Sequence, residues 1–429
     1  MIALEIIREN PEQIKERYKK RGKDVDFTAL LELDKQRREK TKQVEDMKAE
    51  RNRVSATVPA LKKEGKDVAP VLAEMKKLGE DIAKLDEVLN DLTKQINYIL
   101  MCLPNLPDED LLPGGKENNK PIYTFKEKPK FDFEPKNHVD LCKSLGLIDY
   151  ERGAKLAGNG AWIYTGDGAR LEWALLSFFI DEHVKDGYTF MLLPHMLNYE
   201  CGLGAGQFPK FEDEVYWIDN KGEGNKFLLP TAETALVNYY RGEILKESDL
   251  PKKFAGYTPC YRREAGSYRA EERGMIRGHQ FNKVEMVQYT TKDGSDAAFE
   301  ELVKKAQSLV EKLGLHYQLS KLAAGDCSDT MCRTYDIEVW IPSMGIYKEC
   351  SSVSNGRDYQ ARRSGTKYRD SKTGKTEFVH TLNGSGLATS RLIPAIVEQF
   401  QNADGSVTIP EVLRKYMGGQ EVLKPISHI

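Results

Sequence analysis

Apolar residues recur every three or four positions from Val71 to Ile99, and this spacing constrains the fold of the chain more than any other feature. A looser series with the same spacing runs from Leu30 to Leu61, and Gly65 lies between the two series. Charged residues fill most of the intervening positions, as in helices that pair along a narrow apolar seam. Two such helices joined by a short turn predict an antiparallel coiled-coil hairpin over about residues 28–100, with legs of roughly 45–50 Å.

The segments beside the hairpin give further predictions. Residues 2–6 predict a short strand, and Pro11 predicts the start of a helix. Pro59 lies near the tip of the first leg, where its missing N–H predicts a kink or a break. After Leu103 the chain becomes rich in Pro, Gly and Asn. We therefore expect an N-terminal helical arm over residues 1–103, a linker over 104–130 and a second domain over 131–429.

The region after residue 130 has the pattern of an α+β fold. Strand-like runs at 281–290, 334–342 and 346–354 have few helical segments around them. This order favours an antiparallel sheet of about six or seven strands over a doubly wound sheet. Helices are predicted at 168–186 and from about residue 390 to residue 400, on the faces of that sheet.

Composition limits the kinds of partner and compartment. The 429 residues carry a net charge of −2, so an RNA-binding surface would have to be a local basic face. The seven cysteines form no Cys-x-x-Cys pair, which favours reduced thiols and argues against a zinc site. The first residues lack an apolar segment typical of a signal peptide, and no run of 18 apolar residues occurs. We expect a cytoplasmic protein with no membrane partner.

Residues 258–287 contain the most distinctive chemistry. They predict a strand, a charged loop and a returning antiparallel strand, and the charged loop carries Arg269, Glu271, Glu272, Arg273 and Arg277. Cations placed where charge develops can support phosphate chemistry without a covalent nucleophile. The chain has no Gly-x-x-x-x-Gly-Lys-[Ser/Thr] motif, and residues 202–206 lead into Gln-Phe-Pro, so neither a P-loop nor a Rossmann site is predicted.

Several carboxylates accompany these cations in strand-like or apolar surroundings. A carboxylate in such a place is costly unless it is paired or binds a metal ion. For Glu338 a solvated strand face is an equally good interpretation. The other candidates are Glu233, Glu264, Glu285 and Glu349.

These motifs together resemble the seryl-tRNA synthetases, which are class II aminoacyl-tRNA synthetases, and the resemblance extends over nearly the whole chain. It rests on the segment 258–287, the Thr-Ala-Glu triplet at 231–233, the Glu-Cys-Ser-Ser run at 349–352 and the Asn-Gly-Ser-Gly run at 383–386. The resemblance implies a class II antiparallel sheet flanked by helices, with an N-terminal coiled-coil arm. Pro194 matches the proline that this family places at a dimer interface.

The resemblance also implies roles for individual residues. Arg262, Glu285 and Arg391 are the expected catalytic residues. Glu285 is expected to contact the amino and hydroxyl groups of serine, Phe281 to stack on adenine and Arg391 to meet the γ-phosphate. The expected serine-binding residues are Thr231, Ala232, Glu233, Arg262, Glu285, Asn383 and Ser385. The expected ATP-binding residues are Arg262, Arg263, Glu264, Gly278, His279, Gln280, Phe281, Glu349, Cys350, Ser351, Ser352 and Arg391. Glu349 and Ser352 are the expected ligands of Mg²⁺.

A serine–tRNA ligase is the activity that the resemblance implies. Such an enzyme activates L-serine with ATP and Mg²⁺, and then transfers the seryl group to the 3′ end of tRNA(Ser). A homodimer is implied, and use of tRNA(Sec) is left open. Two alternatives also stay open, namely a ligase that charges a carrier protein with an amino acid and a non-catalytic RNA-binding paralogue. Gly278, Asn282 and Cys350 differ from the residues that are usual in this family at these positions. These differences suggest a specialised second copy with an altered ATP pocket.

Overall fold

The structure is a computed structural model, and it describes residues 1–219, 224–264 and 274–426. The chain divides into two compact units. The arm unit comprises Ala3–Glu16 and Asp24–Leu103, and the sheet unit comprises Met1–Ile2, Arg17–Lys23 and Pro104–Ile429. No helix within the described ranges is both long enough and apolar enough to cross a membrane.

Helices dominate the first hundred residues, and helices and strands both occur in the rest of the described chain. The helices are α1 Leu4–Glu9, α2 Pro11–Lys20, α3 Thr28–Lys63, α4 Ala69–Cys102, α5 His138–Ser144, α6 Tyr150–Ala157, α7 Gly166–Lys185, α8 Tyr199–Ala205, α9 Ala232–Leu236, α10 Ser295–Leu313, α11 Tyr359–Ser364, α12 Thr389–Gln399 and α13 Glu411–Arg414. The strands are β1 Lys120–Phe125, β2 Ile148–Asp149, β3 Ile163–Tyr164, β4 Thr189–Leu192, β5 Met196–Asn198, β6 Trp217–Ile218, β7 Lys226–Leu228, β8 Ile244–Lys246, β9 Lys252–Tyr261, β10 Gln280–Thr290, β11 Tyr317–Lys321, β12 Arg333–Ile341, β13 Ile346–Arg357, β14 Lys367–Arg369, β15 Thr376–Phe378, β16 His380–Ala388, β17 Val407–Thr408 and β18 Val422–Leu423.

The two long helices α3 and α4 of the arm unit pack along each other, as the apolar spacing predicts. Most of the residues that they bury lie on the predicted seams, including Val44 on α3 and Ile82, Leu92 and Ile96 on α4, whereas Asp34 and Leu100 are buried outside them. Most other positions are polar and exposed, so the stability of this unit depends on a narrow apolar contact.

The strand predicted at residues 2–6 is wrong, and of the kink or break predicted at Pro59 only the break is contradicted. Residues 4–9 form helix α1 instead of a strand, because Leu4 and Ile7 share one helical face and are both buried. Helix α3 continues through Pro59 to Lys63, so the proline does not end the helix. Only one turn of helix follows Pro59, and the α3 residues beside it are largely exposed. These surroundings leave room for the helix to accommodate the ring.

Within the described residues, the sheet unit is built on an eight-stranded sheet in the order β1-β11-β12-β13-β16-β10-β9-β4. Strand β4 pairs in parallel with β9 at one edge, and the other neighbouring pairs are antiparallel. The expected number of six or seven strands was therefore too low. Strand β1 lies in the segment expected to be a linker, and its side chains are nearly all exposed, so it shows no apolar alternation.

Helices α7, α10 and α12 cover the large sheet and bury an extensive apolar core. Helix α7 begins at Gly166 and α12 begins at Thr389, close to the predicted starts. The core includes Phe179 of α7, Leu302 of α10 and Ile393 of α12. This packing fixes the central strands β13, β16, β10 and β9, and the first three of them carry half of the candidate site residues.

A short N-terminal segment belongs to the sheet unit. Arg21 is buried, and its guanidinium group donates hydrogen bonds to the carbonyl oxygens of Cys327, Ser328 and Met331 at 2.8, 3.1 and 2.5 Å. The hydroxyl of Tyr18 donates to the carbonyl oxygen of Pro104 at 2.6 Å. Residues 17–23 are therefore held by backbone groups that lie far away in sequence.

Candidate active site

The pairing of β9 with β10 places an arginine against an aromatic ring. Phe281 lies opposite Cys260 in the register, and Arg262 follows the end of β9. The guanidinium carbon of Arg262 is 5.1 Å from the centre of the Phe281 ring, within cation–π distance. Its Nε donates to the carbonyl oxygen of Pro230 at 3.3 Å. This arginine is thereby held beside the start of the Thr-Ala-Glu triplet.

The next two residues are held by backbone and side-chain contacts. Arg263 donates from its main-chain N to the carbonyl oxygen of Glu214 at 3.1 Å and from its guanidinium to that of Asp213 at 3.0 Å. Glu264 accepts a hydrogen bond from Arg277 Nε at 2.7 Å and has a φ of 51°. The predicted loop residues Arg269, Glu271, Glu272 and Arg273 lie outside the described residues.

Glu285 of β10 and Ser385 of β16 lie opposite each other in neighbouring strands. The Ser385 hydroxyl is 3.4 Å from Oε2 of Glu285, and Nζ of Lys283 is 2.6 Å from the same oxygen. The side chains of Lys283 and Glu285 are 8% and 3% exposed. We did not predict Lys283, although its spacing of two residues from Glu285 places both side chains on one face of the strand.

Glu233 lies in the first turn of α9 and faces the same cluster. The Thr231 hydroxyl accepts a hydrogen bond from the main-chain N of Glu233 at 3.4 Å. Oε1 of Glu233 accepts a hydrogen bond from Gln360 Nε2 at 2.8 Å. Burial, followed by the charge of Glu285, raises the pKa of Glu233 to about 6, although a hydrogen bond from Asn383 opposes this shift. Two neighbouring carboxylates thus line one small pocket.

The strand that carries Glu349 to Ser352 lies between β12 and β16. Arg391 donates from Nη1 to the carbonyl oxygen of Glu349 at 2.7 Å, and the same nitrogen is 3.6 Å from the carboxylate. The Ser351 hydroxyl donates to the carbonyl oxygen of Ser385 at 2.6 Å. The Cys350 thiol points into the apolar core, where it contacts the carbonyl oxygen of Ile337. Cys350 can therefore offer a ligand only its main chain.

Asp336 on β12 is a further buried carboxyl that the sequence did not single out. The Ser352 hydroxyl donates a hydrogen bond to it. Burial, followed by the charge of Glu349, raises the pKa of Asp336 well above its usual range. Glu338, which we considered equally compatible with a solvated strand face, accepts hydrogen bonds from Gln318 and Ser320 at 2.8 and 2.6 Å.

The oxygen atoms around Glu349 suit a hard cation. Asp336, Glu349 and Ser352 offer carboxylate and hydroxyl oxygens, which Mg²⁺ prefers as ligands. In the parts of the chain that are described, no group of three or more His, Cys, Asp or Glu side chains could hold a metal ion. Mg²⁺ is often bound by one or two carboxylates together with substrate phosphates, and these residues fit such a shared site.

The segment before β10 forms a tight contact with residues 160–162. A Cβ atom at Gly278 would lie 2.2 Å from the Trp162 ring, so only glycine fits while that ring stays in place. His279 donates a hydrogen bond from Nδ1 to the carbonyl oxygen of Arg262 at 3.1 Å, and Gln280 is exposed. The indole of Trp162 thus occupies the space that a larger side chain at position 278 would need.

Comparison with known proteins agrees with this arrangement. The family model described as "tRNA synthetase class II core domain (G, H, P, S and T)" matches residues 216–400, and "Seryl-tRNA synthetase N-terminal domain" matches residues 1–107. Serine–tRNA ligase 2 of Clostridium acetobutylicum is 58% identical over 97% of this chain and 99% of that protein. Serine–tRNA ligase of Clostridium tetani is 44% identical over 99% of this chain and 100% of that protein.

A solved structure has the same fold over its full length. The seryl-tRNA synthetase from Pyrococcus horikoshii, complexed with ATP, superposes with a TM-score of 0.92 and 32% identity, covering 100% of both chains. The arm helices and the large sheet of this chain therefore both have counterparts in that protein. With relatives this similar along the whole polypeptide, the chain belongs to the seryl-tRNA synthetase family.

Proposed function

We propose that this chain is a serine–tRNA ligase, which activates L-serine with ATP and transfers the seryl group to tRNA(Ser). The observation that carries the proposal is the buried cluster of Glu233, Glu285 and Ser385 beside Arg262. This cluster is small and acidic, and it offers hydrogen-bond acceptors for an ammonium group and for a hydroxyl group. The full-length similarity to proteins named serine–tRNA ligase supports the same assignment.

Selection of serine follows from the polarity of this pocket. The hydroxyl of serine can donate to Glu285, and its ammonium group can bind Glu233 and Glu285. Alanine would leave a buried polar group without its hydrogen bond, which discriminates against it by about 10⁴. Threonine carries one additional methyl group, so its rejection depends on the steric closure of the pocket.

ATP is the proposed energy source, and the ATP complex of the Pyrococcus horikoshii relative supports this. We assign Phe281 to the adenine ring, Arg262 to the α-phosphate and Arg391 to the γ-phosphate. A guanidinium group at the α-phosphate stabilises the charge that develops when the serine carboxylate attacks. Glu349 and Ser352 would hold Mg²⁺, which would neutralise part of the charge on the phosphates.

The arm unit is the proposed binding surface for tRNA(Ser). A groove of about 760 Å³ on this unit is lined by residues of α3 and α4. Arg37, Arg38 and Lys42 line it together with Glu45 and Asp46. Cations beside a rigid helical pair suit the recognition of RNA shape and backbone. We assign residues 1–103 to tRNA binding and residues 131–429 to catalysis.

A homodimer is proposed through the edge of the large sheet at β4. Leu192 and Met196 are 77% and 61% exposed near Pro194, and exposed apolar residues along a strand edge favour association. Light scattering of the purified chain should give twice the mass of one chain, 48.7 kDa. A monomer at micromolar concentration would contradict this part of the proposal.

Serine-dependent exchange of pyrophosphate into ATP, measured beside tRNA charging, tests the activity. We expect exchange with serine, little exchange with alanine or threonine, and charging of tRNA(Ser). Exchange without tRNA charging would favour the carrier-protein ligase, and no exchange would favour the RNA-binding paralogue. Glu285→Gln should abolish exchange, whereas the control Glu301→Gln, in a surface ion pair with Lys253, should retain it.

A further inference from the structure

Lys283 is a buried cation for which the proposed reaction has no direct use. It lies two residues before Glu285 on β10, its side chain is 8% exposed, and Nζ is 2.6 Å from Oε2 of Glu285. Lysine is seldom buried to this degree, because removing an ammonium group from water is costly unless the group is paired. A buried lysine next to a substrate pocket therefore requires an explanation.

The charges around Lys283 suggest an explanation for its burial. The charged and titratable groups near it come from its own strand, from α9 and from β9, whereas β16 and α11 contribute the uncharged side chains of Asn383, Ser385 and Gln360. The charged and titratable groups are Glu285, Glu233, Cys260 and Arg262. Two carboxylates this close repel each other, so without a nearby cation one of them would tend to take up a proton. A protonated carboxyl is a poorer acceptor for an ammonium group.

The hydrogen bonds of Glu285 are divided unequally between its two oxygens. Lys283 and Ser385 both contact Oε2. In the described part of the chain, no hydrogen bond or ion pair reaches Oε1, and this atom is not sealed from solvent. Oε1 is thus the oxygen that remains available to a ligand.

We propose that Lys283 is a positioning residue of the serine pocket. Its ammonium group holds Oε2 of Glu285 and balances the charge of the Glu233–Glu285 pair. Oε1 of Glu285 then faces the substrate. This inference rests on the proposed serine activation, and it adds a determinant of serine affinity that touches no substrate atom itself.

The test compares the wild type with Lys283→Met by pyrophosphate exchange between pH 5.5 and 8.5. At pH 7.5 we expect the KM for serine to rise about tenfold or more, as for loss of a charged hydrogen bond, while the KM for ATP changes less than twofold. The pH below which the serine KM increases should move upward from about 6, because Glu233 and Glu285 lose their compensating cation. Lys283→Arg keeps the charge and should keep that pH near the wild-type value.

Lys305→Met is the matched control. The Lys305 side chain is 6% exposed and is also ion-paired, with Asp186, but it lies outside the serine pocket. If Lys283 only stabilised the fold, both methionine variants would lower the melting temperature and leave the serine KM and its pH profile unchanged, which would overturn the inference.

Two further outcomes are decisive. If Lys283→Met does not fold, the neutral and polar Lys283→Gln should raise the serine KM without a change in the ATP KM, and an unchanged serine KM would overturn the inference. Absence of exchange in the wild type would overturn the proposed function and this inference together, whereas an active wild type with an unaffected Lys283→Met variant overturns this inference alone.

Discussion

Replacement of Glu172 by glutamine should make the stability of the chain less dependent on pH. Glu172 lies on α7 and is 3% exposed. Its Oε1 accepts hydrogen bonds from Thr389 at 2.6 Å and Asn282 at 2.8 Å. Its Oε2 is buried, and no described group meets it with hydrogen-bonding geometry, although the Tyr164 hydroxyl is near. Glutamine has the shape of the protonated acid and can keep the two bonds to Oε1.

The magnitude follows from the pKa of this carboxyl group. Burial raises the pKa of Glu172 from 4.5 to about 7, although the bonds from Thr389 and Asn282 oppose the shift. Because the folded pKa is the higher one, the stabilising effect of the proton is complete below pH 4.5 and is lost as the pH rises through 7. One pKa unit corresponds to about 1.4 kcal/mol. The free energy of unfolding of the wild type should therefore fall by roughly 2–3 kcal/mol between pH 5 and pH 8.5.

Thermal unfolding at pH 5, 6, 7 and 8.5 measures this loss. The melting temperature of Glu172→Gln minus that of the wild type should increase by a few degrees between pH 5 and pH 8.5. Glu300→Gln, an exposed residue of α10, is the control and should follow the wild type at every pH. A constant difference between Glu172→Gln and the wild type across this range would refute the argument.

Three further predictions concern the pocket and the arm. Because the pKa of Glu233 is about 6, the serine KM in pyrophosphate exchange should rise roughly tenfold from pH 7 to pH 5, and a flat profile would contradict this. Gly278→Met would place a Cβ atom 2.2 Å from the Trp162 ring. The KM for ATP should therefore rise several-fold and the tryptophan fluorescence should change, whereas an unaltered spectrum would show that the contact is absent. Ile96 in α4 is 1% exposed, so Ile96→Ala should destabilise the arm unit by about 2–5 kcal/mol. This variant should have reduced tRNA charging and intact pyrophosphate exchange, and loss of both activities would refute a role of the arm confined to tRNA binding.

The elements with a strong periodic pattern could be predicted from the sequence. Helices α3 and α4 and strands β10, β12 and β13 lie where the sequence pattern predicted them. Strand β1 was missed because an exposed edge strand has no buried face to produce alternation. Helix α1 was taken for a strand because six residues with three apolar positions fit either period.

The candidate site could be predicted only where a residue type carries the chemistry itself. Arg262, Glu285 and Arg391 are of this kind. Gln360 and Lys283 were missed, since their importance comes from partners that the fold brings close. Gln360 bonds Glu233 across 127 positions of sequence, and no local pattern indicates such a pairing.

The division of the chain into two units determines which truncations and deletions would leave the larger unit intact. The arm unit cannot be removed by cutting the chain before Pro104 without loss to the sheet unit, because residues 17–23 belong to the sheet unit. A truncated polypeptide that starts at Pro104 would lose Arg21 and leave the three carbonyl oxygens at 327, 328 and 331 without this donor. Internal deletion of residues 24–103, with a flexible linker in their place, would instead remove the two long helices and keep residues 17–23.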